Sequence, residues 1–156
     1  MDQTFLSERG GTFCLSKAGL AEGTNPNTIK TAAPNGAGTD YCIDGVLYHK
    51  ADTDNIAMNA LAQQGVLTKC LYCVQIDSAG AVSLKKGNDV LAADLAAGNA
   101  VLHWPLPDAG KCAIGFIKIA LASSATFTSG STDLSAANVT ATYYDVFAVP
   151  VAPLTS

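Results

Sequence analysis

The amino-acid sequence predicts a mainly β fold: an antiparallel sandwich or jelly-roll-like barrel with an extended N-terminal arm and at most short helices. Three observations carry this. Asp44-Gly45 separates two short apolar runs within residues 41–49, the strongest short-range hairpin signal a sequence offers. Residues 70–86 repeat the arrangement around Asp77-Ser-Ala-Gly80, where Asp hydrogen-bonds the backbone just ahead and Gly supplies a left-handed conformation. Residues 113–121 and 138–147 are rich in β-branched and aromatic side chains, which suit a pleated surface. Several short strands with turn signals between them are the pattern of stacked antiparallel sheets.

Taken in order, residues 1–38 show little periodicity and are punctuated by Gly10-Gly11, Gly19, Gly23, Asn25-Pro-Asn27 and Pro34-Asn-Gly-Ala-Gly38. They read as an arm anchored by Phe5, Leu6 and Phe13. Such an arm lies either across a neighbouring subunit, where burial offsets its ordering entropy, or back over its own sheet. Residues 39–156 form a single β domain. Within 54–64, Ile56, Ala60, Leu61 and Gln64 fit a helical face that Gly65 would end; a short helix and a loop are both open. The alanine-rich stretch 89–98 predicts a turn or two of helix. Residues 101–107 are extended, because Pro105 and Pro107 forbid helix and restrict the residues before them. Residues 113–121 read as a central strand, 125–128 and 138–147 as further strands around a loop at 129–133, and 149–156 as an extended tail.

At 156 residues and 15.9 kDa the chain is expected to be one domain, large enough to bury a core without metal or disulfide. Charged residues are only 14%, against roughly 25% in ordinary soluble proteins, so the surface must be made of small and neutral residues, which suits contact with other subunits and equally a neutral, soluble monomer. The net charge is −4 and Arg9 is the single arginine. With no basic cluster beyond Lys85-Lys86, nucleic acid and anionic membranes are not expected partners. No apolar run approaches the roughly 20 residues that span a bilayer, and the start, Met1-Asp-Gln-Thr-Phe-Leu, is unlike a signal peptide. The odd set Cys14, Cys42, Cys70, Cys73 and Cys112 then predicts free, buried thiols in a reducing cytoplasm.

No motif in the chain spells out chemistry. Cys70-x-x-Cys73 lies in a predicted strand, where residues i and i+3 point to opposite faces, and it lacks a second pair to complete a zinc site. His49 and His103 have no recognisable motif around them, and His103 beside Trp104 reads as loop packing or the edge of an interface. Asp52-Thr-Asp54-Asn55 resembles the start of a calcium loop but lacks its central glycine and distal glutamate. No Gly-x-Ser-x-Gly elbow, dinucleotide fingerprint or phosphate loop occurs. The expectation is a non-enzyme without catalytic residues, metal or cofactor.

Five blocks between about residues 39 and 150 resemble a known family. They are Tyr41-Cys-Ile-Asp-Gly45, Lys50-Ala-Asp-Thr-Asp-Asn-Ile-Ala57, Cys73-Val-Gln-Ile-Asp-Ser-Ala-Gly-Ala-Val82 with Lys86-Gly87, Ala113-Ile-Gly-Phe-Ile-Lys118, and the run from Ala125-Thr-Phe-Thr to Tyr144-Asp-Val146. Together they are similar to the small virion proteins of tailed bacteriophages that act as capsid decoration, or cement, proteins. The resemblance implies a protein made in the host cytoplasm and placed on the capsid exterior. Its partners would be the major capsid protein and other copies of itself, a homotrimer being favoured and a dimer possible. Inter-subunit contacts are then expected at Phe5, Leu6, Phe13, Trp104, Val149, Val151 and Leu154. Another phage structural role, such as a head fibre base or tail component, and a glycan- or host-surface-binding module using Trp104, Tyr143 and Tyr144 are the alternatives.

Overall fold

The computed structural model of the chain describes residues 11–34 and 36–146. It is mainly β, with 44% of the described residues in strands and 4% in helix, so the core must be built between sheets. Among the described residues eleven strands form three antiparallel sheets. The largest is five-stranded: β7 (Thr68–Ile76) and β10 (Cys112–Leu121) lie at its centre, with β11 (Val139–Asp145) outside β10 and β8 (Val82–Lys86) and the two-residue β9 (Val90–Leu91) outside β7. The other sheets have three strands each: β1 (Phe13–Cys14), β4 (Thr39–Ile43) and β5 (Val46–Lys50) in one, and β2 (Leu20–Glu22), β3 (Thr28–Thr31) and β6 (Thr53–Ala57) in the other. Both small sheets stack on one face of the large one, sandwich-fashion, and no sheet closes into a barrel.

The core lies between these layers. Cys70, Tyr72, Val74 and Ile76 from β7 and Ile114, Ile117, Ile119 and Leu121 from β10 meet Cys14, Leu20, Ile29, Tyr41 and Ile43 from the small sheets. The period of two explains which residues reach it, and one irregularity between Ala113 and Gly115 resets β10 so that Ile114 and Ile117 share the core face. Gln64 is buried there too. Its amide donates to Thr68 O and Ile119 O, while its carbonyl accepts from the Tyr72 hydroxyl, so the polar group is satisfied.

The two hairpins form as expected. Asp44 (φ 51°) and Gly45 (φ 83°) make the tight turn between β4 and β5. In the β7–β8 loop, Asp77 Oδ1 accepts from the N–H groups of Ala79 and Ala81, and Gly80 takes φ 80°. Helix α1 spans Ala92–Ala97 and ends on left-handed Gly98.

Two alternatives that the sequence left open are decided here. Residues 13–31 lie back over their own chain: β1 pairs with β4, β2 with β3, and β3 with β6. Residues 54–64 hold no helix: their first part belongs to β6 and the rest is loop up to the bridge at Gln64. Residues 125–128 contribute only a bridge between Phe127 and Gln64.

Candidate interaction surface

The central strands β7 and β10 of the large sheet are buried on both faces, yet the small sheets cover only one. The outer face carries Leu71, Cys73 and Gln75 from β7, Phe116 and Lys118 from β10, and Thr140, Thr142 and Tyr144 from β11. The extended segment 99–110 crosses this face as a strap. Its prolines keep it from pairing as a strand, so side chains must hold it.

The anchor at one end is polar. Gln75, only 1% exposed, donates from Nε2 to Asp108 Oδ2 at 2.7 Å and accepts the Asp108 N–H at Oε1 at 2.8 Å. Lys85 Nζ sits 2.9 Å from the other carboxylate oxygen. Hydrogen bonds from Lys85 and Gln75 hold the Asp108 carboxyl below the usual carboxylate range. The middle is held by aromatic contact. Trp104 meets Phe116 edge-on with ring centroids 4.7 Å apart and Tyr144 edge-on at 5.9 Å. Gly87 lies under the strap and close against β7: a Cβ there would meet Leu71 O at 2.8 Å, while His103 O and Pro105 Cδ of the strap stand at an ordinary contact distance of 3.5 Å.

This fixed strap turns apolar side chains outward. Val101 is 67% exposed, Trp104 55% and Leu106 77%. Between Trp104 and the sheet lies a shallow depression of about 240 Å³ lined by Leu71, Leu102, Trp104, Lys118 and Tyr144. Lys118 Nζ stands 5.8 Å from the Tyr144 ring centroid, within cation–π range. Isolated exposed apolar residues are ordinary, but a row on a pinned segment marks a contact surface.

Of the residues expected at subunit contacts, Trp104 lies in this surface. Phe13 lies apart from it, partly exposed in β1 beside a hollow of about 210 Å³ that Pro107, Cys112 and Val146 also line. Phe5, Leu6, Val149, Val151 and Leu154 fall outside the described residues. Val101, Leu106 and Tyr144 share this surface and were not among the residues expected at subunit contacts. Their signal was present in part: apolar residues in 101–106 follow no strand alternation and are interrupted by proline.

The chemical candidates resolve differently. Cys70 faces the core opposite Ile119, and Cys73 faces the strap opposite Phe116, so the pair does diverge. Burial pushes both thiols up to about 12, which leaves them protonated and unreactive at neutral pH. His49 Nδ1 lies 2.7 Å from Asp40 Oδ1 in an open hollow with Leu15, Leu47 and Tyr48, but both partners are exposed. Ser16 Oγ is engaged nearby in accepting the Asp40 N–H. His103 is exposed on the strap, and Tyr143 packs towards the core rather than offering a stacking face. The Asp52–Asn55 stretch is spent on backbone: Asp52 accepts from Ala33 N–H, Asp54 from Thr24 N–H and Oγ1, and Asn55 from Asn25 N–H. Among the described residues no group of three or more His, Cys, Asp or Glu is placed to hold a metal ion, and no helix is long and apolar enough to cross a membrane. The chain matches no known protein family, no curated protein and no solved structure.

Proposed function

We propose that the chain is a non-enzymatic capsid decoration protein of a tailed bacteriophage, which binds the outside of the head and braces seams between major capsid protein capsomers. The observation that carries the reading is the row Val101, Trp104 and Leu106, exposed on a strap that is itself pinned to the sheet. The resemblance of residues 39–150 to phage virion proteins supplies the partner. A fixed apolar ridge suits a mechanical role, because little ordering entropy remains to be lost on docking. Each of the three side chains contributes about 1.5–3 kcal/mol when fully buried. Association itself costs roughly 4–15 kcal/mol, so one copy holds weakly and linked copies bind far more tightly through avidity. The low charge of the chain, 14%, limits the desolvation cost of a broad contact.

The test mixes purified protein with expanded, genome-free heads. Binding at saturable sites and a raised disruption temperature are expected, with the Leu106→Ser, Val101→Ser double variant losing at least tenfold in affinity. Absence of binding by the unaltered chain to heads overturns the reading. Trp104 and Tyr144, set at 89° around a hollow beside Lys118, favour one alternative, a glycan-binding module for a host surface. Saturable binding on a glycan array without binding to heads would establish that instead. A head fibre base or tail component is distinguished by imaging where labelled protein sits on particles.

A further inference from the structure

The two edges of the large sheet are treated differently by the sequence. The β8 edge is closed by a side chain: Asn59 Oδ1 accepts the Leu84 N–H at 2.6 Å and its Nδ2 donates to Leu84 O at 3.1 Å, imitating a neighbouring strand. Beyond β8 that edge offers only the two-residue β9. At the opposite edge, β11 runs for seven residues with no proline, lysine or bulge in its pairing to β10. The orientation of its ladder groups follows from its two ends. Ala122 N–H donates to Asn138 O and Val146 N–H donates to Ile114 O, so the even-numbered residues turn their backbone groups towards β10. Ala141 and Tyr143 turn theirs outward, while the Val139 N–H is already taken by Ala136 O at 3.0 Å. Among the described residues no strand pairs with this side of β11. Natural sheets blunt such edges with charge, proline, bulges or cover. Here Asn59 does so at one edge, whereas β11 carries no proline or bulge, and its one charge, Asp145, lies at its last residue, where it accepts the Leu20 N–H.

We propose that β11 is a self-association edge, along which two copies of the chain pair antiparallel about a two-fold axis to form one continuous sheet. A second copy is the occupant for two reasons. A head-to-tail assembly through this sheet would need β11 to meet the opposite edge, which Asn59 closes; β11 meeting β11 needs nothing else. The strand is also self-complementary. Full overlap of Val139–Asp145 places the axis at Thr142, sets Ala141 opposite Tyr143 as a hydrogen-bonded pair, and sets Thr140 opposite Tyr144 on the outer face. Asp145, the one charged residue of β11, then faces Val139, so the two carboxylates stay apart. The pairing also brings the two Trp104–Tyr144 surfaces onto the same face of the joined sheet. The closed two-fold departs from the trimer that the family resemblance favours, and it does not depend on capsid binding.

The test uses the full chain. Analytical ultracentrifugation from 1 to 200 µM is expected to show a monomer–dimer equilibrium. Hydrogen exchange at the Ala141 and Tyr143 amides should slow as concentration rises. Ala141→Pro removes an N–H that makes no bond within the chain, so it is expected to weaken dimerisation at least 100-fold while the far-ultraviolet circular dichroism spectrum is kept. Thr142→Lys, a second variant for the case in which proline unfolds the strand, places two ammonium groups at the axis. It should block pairing at low salt and recover it at high salt. A monomer throughout the range, a dimer indifferent to both variants, or protection of those amides that does not depend on concentration (cover by another part of the same chain) overturns the proposal.

Discussion

Gln75 shows how much a single side chain positions. It is buried in a β-strand, and both ends of its amide are spent on Asp108, so its role is to tie the strap to the sheet rather than to fill the core. Replacing it with alanine removes two hydrogen bonds to Asp108, one of them to a charged oxygen, and a longer one to Ser83 Oγ at 3.4 Å. Asp108 is exposed enough to be rehydrated, so the expected loss is about 1–2 kcal/mol rather than the full cost of a stranded buried charge. Trp104 is the one tryptophan and reports directly: in Gln75→Ala its emission should shift to the red and quench more readily with acrylamide, and the urea midpoint should fall. An unchanged spectrum would mean that the aromatic contacts alone hold the strap. Acid should have a similar effect. The Asp108 carboxyl is lowered in the folded chain, so its contribution is present above the ordinary carboxyl value of 3.8 and is lost as pH falls below it through the folded value. This residue role could not be read from the sequence, because Gln75 and Asp108 are distant in the chain and neither sits in a motif. The divergence of Cys70 and Cys73 could, because it depends only on the strand period.

At the scale of elements, the same division recurs. The Asp44-Gly45 turn, the Asp77–Gly80 loop and the short helix α1 are coded locally by residues that tolerate or enforce their own backbone angles, and they were legible. Strands β1, β2, β3 and β6 were not. They are two to five residues long, and their partners lie outside any local window. Long-range ties do what local propensity does not. Asp54 and Asn55 reach from β6 to hold the turn at 24–28, and Thr24 holds the Asp54 carboxyl below its usual range. What looked like part of a calcium loop is thus a clamp on backbone N–H groups. Asn55 serves it twice, through a left-handed backbone and through its side-chain oxygen. Asn55→Gly keeps the first and loses the second, while Asn55→Ala loses both. Stability should therefore fall by about 1 kcal/mol for glycine, the worth of a typical hydrogen bond, and by about 1–2 kcal/mol more for alanine, the cost of a left-handed conformation. Denaturant titration of the pair separates the two; equal losses would mean that the backbone conformation at Asn55 carries no strain.

At the scale of the whole molecule, the core is unusual in the acids it hides. Cys14, Cys70, Cys73 and Cys112 are buried, and burial raises their thiols to about 11 for Cys14 and about 12 for the others, from an ordinary 9.0. Burial raises the Tyr72 hydroxyl strongly, and it raises Tyr143 to about 12 with help from nearby Glu22. Cys70, Tyr72 and Cys73 share β7, and Cys14, Cys112 and Tyr143 lie in β1, β10 and β11, so their linkage to folding reaches across the sandwich. The folded chain keeps these protons where the unfolded chain releases them. Stability is therefore fully present below pH 9 and falls as pH rises from there towards the folded values. Each thiol that ionises only on unfolding removes at most about 1.4 kcal/mol per pH unit, so several together produce a steep alkaline collapse. Urea midpoints measured every half unit from pH 7 to 11 should be flat to about pH 8.5 and then drop. Cys112→Ala is the informative variant. It loses some stability at neutral pH through the cavity it leaves, but it removes one of the ionisations, so its alkaline slope should be shallower than that of the unaltered chain. Parallel curves would show that the alkaline loss comes from elsewhere. The same burial predicts that a thiol reagent at pH 8 finds little to react with until the chain is unfolded.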